Sequence, residues 1–179
     1  MRSKACAVAV LSAAMAAGCG GPKGRAVPGQ QISGEPVSVV EFTTEGAWVN
    51  YDEPYDTFGL ALASEIAAEL RNRGHRAEVV RAGGTPARGT VVRGRVALID
   101  GGSRAARVLI GFGAGGGRFA AEGEVMRADG TQLGTFRDER VASGMANMWG
   151  GSARDLVQKC IRTVGRDIAE MIDTGQYRR

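Results

Sequence analysis

The sequence contains few residues of the kinds that hold metals, disulfides or membrane-spanning helices. Its 179 residues include one histidine and three cysteines. The apolar N-terminal run, Ala5 to Ala17, is shorter than the roughly 20 residues needed to span a bilayer. Because zinc sites need three or four clustered ligands, this composition predicts no metal site, and no motif indicates a cofactor. A net charge of only +4, with basic residues scattered among acids, argues against nucleic-acid binding.

The N-terminus has the organisation of a secretory signal. Arg2 and Lys4 precede the apolar run, and the small residues 16–18 lead directly to Cys19. This arrangement resembles a bacterial lipoprotein precursor. The resemblance implies cleavage before Cys19, attachment of diacylglycerol to its sulfur and fatty acylation, such as with palmitate, of the new amino group. An ordinary secretory signal or an uncleaved anchor is the alternative interpretation.

The residues after Cys19 suggest a location and a tether. In lipoproteins of the kind that this N-terminus resembles, a residue other than Asp after the cysteine implies sorting to the outer membrane, facing the periplasm, and Gly20 stands there. Residues 19–36 are rich in Gly and Pro and offer little to bury, which predicts a flexible tether spanning about 20–25 Å. The predicted organisation is a signal peptide (1–18), a tether (19–36) and one folded domain (37–179).

Hydrophobic periodicity predicts a single α+β domain. Apolar residues recur at helical spacing near 57–73 and again over 153–173, where Ser152 and Asp155 form a capping pair. Strands are predicted at 37–42, 77–81, 90–100, 107–110, 122–128 and 133–140. Asp129-Gly130 suits a tight hairpin turn. We therefore expect an antiparallel sheet of about five to six strands, with two helices packed on one face.

The motifs that could carry chemistry favour structural interpretations. Residues 111–116 match the glycine pattern of dinucleotide-binding loops, but residues 118–126 alternate like a strand and offer no helix N-terminus to a phosphate. His75 follows a helix end among arginines and is expected to be solvated. Cys160 lies on the apolar stripe of the last helix and is expected to be buried and inert. No residue is marked as a nucleophile, so we predict that the protein is not an enzyme.

Large apolar side chains cluster in two turn-rich segments. Trp48, Tyr51 and Tyr55 lie in one segment, and Met148 and Trp149 lie in a glycine-rich one near the last helix. Such residues either cover the open ends of a core or form contacts with a partner. Both interpretations remain open from the sequence, and these five residues are the candidate partner contacts.

The segments 94–100 and 102–115 carry a more specific likeness. Together with the turn at Asp129-Gly130-Thr131, they resemble bacterial lipoproteins that contain the domain of unknown function DUF4410. The resemblance is strongest from about 90 to 140. It implies a small periplasmic α+β lipoprotein, and it supplies no catalytic residues.

The same segment suggests structural roles. We expect Arg107 to pair with an acid such as Asp100 and hold the hairpin together, and Gly111, Gly113 and Gly115 to allow a tight crossing. The expected function is a non-catalytic binding or assembly module, accessory to an envelope transport or secretion complex. Its partners would be the membrane, through the lipid on Cys19, and an envelope protein or further copies of the chain. The alternative is a small-ligand carrier or an enzyme that uses the glycine-rich turn 111–117.

Overall fold

The structure, a computed structural model, describes residues 23–26, 32, 34–103, 116–142 and 152–175. Nine elements follow one another in these residues. They are β1 (Lys23–Ala26), β2 (Val37–Val40), β3 (Trp48–Asn50), α1 (Phe58–Asn72), β4 (Ala77–Val80), β5 (Thr90–Asp100), β6 (Gly117–Arg127), β7 (Gln132–Ala142) and α2 (Ala153–Thr174). The two helices and strands β2 and β4–β7 lie where the sequence places them. The strand predicted at 107–110 falls outside the described residues.

The strands form one mixed sheet, so the prediction of a purely antiparallel sheet is wrong. Its order is β1-β7-β6-β5-β2-β4, with β3 paired to β5. The pairs β5–β6, β6–β7 and β1–β7 are antiparallel, whereas β2 is parallel to both β4 and β5. The physical reason is the helix between β2 and β4. A helical crossover returns the chain to the same end of the sheet, so the strands that it joins run in the same direction.

Two short strands were not predicted from the sequence. β3 pairs in parallel with Leu98–Asp100 of β5, beyond an isolated bridge between Thr43 and Arg95. β1 lies inside the segment expected to be only a flexible tether, and it pairs with Gly134–Arg137 of β7. Both strands join the sheet through hydrogen bonds between backbone groups. Hydrophobic periodicity describes side chains, so it does not predict this pairing. Residues 23–26 of the predicted tether are therefore a strand in the structure.

Both helices bury their apolar stripes in one core. α1 packs on β2 and β4, and α2 packs on β6, β7 and α1. A Cβ atom on Gly165 would lie 2.7 Å from Cβ of Glu65, so this glycine permits close approach of the two helices. Side chains on β6 and β7 alternate between the two faces of the sheet. The helices cover one of these faces and leave the opposite one uncovered.

Turn and cap residues behave as their chemistry predicts. Gly130 has φ +89° in the hairpin, and the Asp129 side chain accepts a hydrogen bond from the Thr131 amide at 2.8 Å. Ser152 and Asp155 form a reciprocal capping box at the start of α2. These local signals confirm the predicted hairpin and helix start, and they mark where β6 ends and where β7 and α2 begin.

Candidate functional site

The sheet face opposite the helices carries rows of charged side chains, and we call it the outer face. Cross-strand register places Arg95, Glu122 and Arg137 in one row across β5, β6 and β7. Arg93 and Glu124 lie together in the neighbouring row. Arg93 and Arg95 are both exposed and point to the solvated side of the sheet. Side chains alternate between the two faces of a strand, so charged residues two positions apart on the same strand share the outer face.

These rows are held by ion pairs between strands. Arg93 contacts Glu124 at 2.8 Å, and Arg95 contacts Glu122 at 2.5 Å. The second carboxylate oxygen of Glu122 lies 3.2 Å from Nη1 of Arg137. Opposite charges directly across strands favour this register. Because the side chains are partly exposed, each pair contributes little stability, but together they order the outer face.

Two glycines sit side by side at the centre of the sheet. Gly94 of β5 pairs with Gly123 of β6, and on the core side the rings of Phe42 and Phe136 cover them. A Cβ atom at Gly94 would lie 2.8 Å from Phe42, and one at Gly123 would lie 2.7 Å from Phe136. The two rings are 6.2 Å apart and tilted. Aromatic packing therefore replaces the side chains that these positions lack.

A broad, shallow groove of about 1020 Å³ runs over these rows on the outer face. Its wall is completed by Glu41, Thr43 and Gly83 from the segments that follow β2 and β4. The groove therefore presents alternating cationic and anionic groups over a floor of backbone. Such a surface suits an extended polar partner better than an enclosed small molecule.

Trp48 is one of two exposed large apolar side chains among the described residues, together with Val141 on β7. Trp48 is 56% exposed, and it lies on β3 beside Leu98 of β5. Its neighbour Val49 packs against the core, so Trp48 points to the opposite, outer face. Asn50 Nδ2 donates to Asp100 Oδ1 at 2.9 Å and fastens β3 to β5. Trp48 is thus displayed from a strand whose position is fixed.

Tyr51 and Tyr55 are placed differently from Trp48. Both are half-buried and pack against the core. The ring of Tyr51 lies 5.5 Å from that of Phe58, and burial, followed by the nearby Glu53 carboxylate, raises the pKa of its hydroxyl. A Cβ atom at Gly101 would lie 2.9 Å from the same ring. Of these three aromatic candidates, Trp48 has the exposure that a partner contact needs.

A charged cluster lies beneath the other face of the sheet, between β7 and α2. Asp138 is 1% exposed, and Arg140 Nε lies 3.4 Å from its Oδ2. Arg140 also contacts Asp167 of α2 at 2.5 Å. Burial raises the pKa of Asp138 to about 7, the Arg140 guanidinium opposes this effect, and the Asp167 carboxylate adds to it. This cluster was not predicted from the sequence, although Asp138 lies two residues from the buried Phe136 and therefore on the same, core-facing side of β7.

His75 is less solvated than the sequence suggested. Its Nε2 lies 2.8 Å from Oδ1 of Asp173 near the end of α2, and its side chain is 15% exposed. Arg73 approaches the same carboxylate at 3.4 Å. The hydrogen bond from His75, assisted by Arg73, lowers the pKa of Asp173. This contact joins the ends of the two helices.

Several predicted site residues lie outside the described residues. They are Cys19, Arg107, Gly111, Gly113, Gly115, Met148 and Trp149. The proposed acid partner of Arg107, Asp100, accepts hydrogen bonds from Asn50 and from the Gly102 amide. At the end of the glycine-rich turn, a Cβ atom on Gly117 would lie 2.8 Å from Leu156 Cβ. Close packing on α2 accounts for glycine at that position.

Within 34–103, 116–142, 152–175 and the short N-terminal pieces, no group of three or more His, Cys, Asp or Glu side chains could hold a metal ion. In the same part of the chain, neither helix has the length and apolarity required to cross a bilayer.

A family match covers more than half of the chain. The family of the domain of unknown function DUF4410 matches residues 52–146. The chain belongs to the DUF4410 family. The matched segment begins beside Tyr51, before α1, and includes the strands that carry the charged rows. No curated protein matches the chain in sequence.

Two solved structures share the fold of this DUF4410 protein. A variant of the PelC dodecamer from Paraburkholderia phytofirmans has 17% sequence identity and a TM-score of 0.52, with 83% of this chain and 97% of that chain covered. The PelC dodecamer from the same organism in a second crystal form has 18% identity and a TM-score of 0.51, covering 82% and 96% of the two chains. At these identities the likeness extends to the fold alone.

Proposed function

We propose that this DUF4410 protein is a lipid-anchored lipoprotein of the cell envelope whose α+β domain is a non-catalytic binding or assembly module. The signal-like N-terminus and Cys19 support the anchor. Three acyl chains bury enough CH₂ groups for durable attachment, whereas one chain binds only marginally. In this proposal the domain faces the periplasm from the outer membrane.

The exposure of Trp48 on the outer face is the observation that carries the binding role. A tryptophan that remains 56% exposed leaves a large apolar area in water, and residues of this type often dominate the energy of interfaces. The strand beneath it is fixed by pairing with β5 and by the bond between Asn50 and Asp100. The surface is thus rigid before binding, which lowers the entropic cost of association.

The partner that we propose is a protein of the envelope, including further copies of this chain. PelC, which shares the fold, forms a dodecamer. The outer face carries both Arg and Glu, so it can offer complementary charges to a polar partner surface around the apolar contact of Trp48. As an assembly module, the domain would act as an accessory to a transport or secretion complex.

In-cell crosslinking tests this role. Membranes from cells expressing the full-length protein are crosslinked, and the adducts are compared for wild type, Trp48→Ala and Gln158→Ala. Gln158 is exposed on α2, on the other layer of the domain, and serves as the matched control. We expect discrete protein adducts that weaken with Trp48→Ala and persist with Gln158→Ala.

Two results would contradict the proposal. The first is an adduct pattern that Trp48→Ala leaves unchanged, which would remove the outer face as the binding surface. The second is an absence of protein adducts together with a metabolite that copurifies with the protein, which would favour a small-ligand carrier.

A further inference from the structure

Strand β1 lies within the segment that links Cys19 to the domain. Its register runs from Lys23 opposite Arg137 to Ala26 opposite Gly134. Only three residues, 20–22, then separate Cys19 from the sheet, and the stretch from Cys19 to Lys23 spans at most about 14 Å. A free tether up to Pro36 would instead average about 20–25 Å. Pairing of β1 with β7 therefore shortens the free chain segment that joins the lipid to the folded domain.

We propose that β1 holds the β7 edge of the sheet against the phospholipid surface in which Cys19 is embedded. The domain then lies edge-on at the membrane, and it does not stand clear of the headgroups on a long tether. This inference rests on the acylation of Cys19 proposed above. The partner is the headgroup layer itself, with its anionic phosphates.

Charge favours the same edge of the sheet. The sequence of β1 is Lys-Gly-Arg-Ala, which contains two cations and no acid. Opposite Lys23 in the register, the side chain of Arg137 is 62% exposed. The other edge strand, β4, contains Glu78 and no basic residue. Basic groups are attracted to anionic phospholipids close to the membrane surface, so the β1–β7 edge is the one suited to face it.

The register provides two matched positions for a distance measurement. Thr135 is exposed on β7 opposite Arg25, and Arg81 is exposed just after β4, one residue from the same cross-strand row. Four strand spacings separate β7 from β4, or about 19 Å. A domain held edge-on would place these two positions at clearly different distances from the lipid.

The experiment uses the full-length acylated protein in vesicles of phosphatidylethanolamine and phosphatidylglycerol that contain a headgroup-linked quencher. A fluorophore is attached to Thr135→Cys or Arg81→Cys, since the Cys160 thiol is buried and its pKa is raised to about 11. β1 is disrupted by Gly24→Pro with Arg25→Pro. Neighbouring backbone N–H groups point to opposite sides of a strand. Two consecutive prolines therefore remove one N–H group that faces β7, whichever of the two positions that is. Gly24→Ala with Arg25→Lys is the matched control, because it keeps both N–H groups and the charge.

We expect stronger quenching at Thr135 than at Arg81, and we expect the proline pair to abolish this difference while the control pair keeps it. Equal quenching at the two positions in otherwise wild-type protein would overturn the proposal, and this comparison does not depend on how the proline variant folds. A difference that survives in the folded proline variant would also overturn it, because β1 would not be the cause. Failure of the wild-type protein to float with vesicles would instead contradict the acylation of Cys19, and hence the proposed function.

Discussion

Asp138 makes the stability of the domain depend on pH in a way that one substitution should remove. Its carboxyl group is buried between β7 and α2, where Arg140 is shared with Asp167. Replacing Asp138 by Asn keeps the size of the side chain and removes its ability to ionise. We expect Asp138→Asn to unfold with a free energy that changes less between about pH 5 and about pH 8 than that of wild type.

The magnitude follows from the two pKa values of this carboxyl group. The ordinary value is 3.8, and burial raises the pKa in the folded protein to about 7. The folded state therefore binds the proton more tightly than the unfolded state, so stability falls as the pH rises from 3.8 through about 7. Linkage over the interval from about pH 5 to about pH 8 gives a loss of about 2–3 kcal/mol in wild type.

Urea denaturation at several pH values measures this loss. The difference between the two proteins is the useful quantity, because contributions from every shared group cancel in it. At about pH 8 we expect Asp138→Asn to be more stable than wild type. The gain should be smaller than the whole pH-dependent loss of wild type, because the buried amide needs hydrogen-bond partners of its own. Asp56→Asn, at an exposed position, serves as the control. Parallel pH profiles for Asp138→Asn and wild type would refute the reasoning.

Three further predictions concern the helices. Gly165→Ala should lower the free energy of unfolding by about 1–3 kcal/mol despite the better helix propensity of alanine, because the added Cβ meets Glu65; a thermal melt no lower than wild type would contradict this. Ser152→Ala should cost about 1 kcal/mol through loss of the capping box, which urea denaturation against Gln158→Ala can measure; equal midpoints would count against the cap. The Cys160 thiol, whose pKa burial raises to about 11, should react with a disulfide reagent at about pH 8 only after unfolding, and rapid labelling of the native protein would show that it is accessible.

The elements of this fold that follow from the sequence are those with a strong local signal. The stripe of α1, the capping box at Ser152 and the turn at Asp129-Gly130 each identify an element or its end from neighbouring residues alone. The strand direction did not follow in the same way. Periodicity reports which residues face the core, but it does not report which strands pair, so the parallel arrangement of β2 was missed.

The outer face shows the same division between local and long-range information. Alternation along β5 is enough to place Arg93 and Arg95 on one face, but their pairing with Glu124 and Glu122 depends on the register between strands. A register shift between Val96 and Leu98 also interrupts the alternation. The result is that Ile99 is buried and Leu98 lies beside Trp48. No local pattern specified this shift.

The most direct test of the proposed lipoprotein is the mass of its mature N-terminus, measured on protein extracted from membranes and compared with Cys19→Ala. We expect a chain that begins at Cys19 and carries a diacylglycerol thioether and an amide-linked fatty acid, with both groups lost in Cys19→Ala. A free thiol at Cys19, or a chain that still begins at Met1, would contradict the membrane anchor, and with it the proposal that the domain works as a module fixed at the envelope.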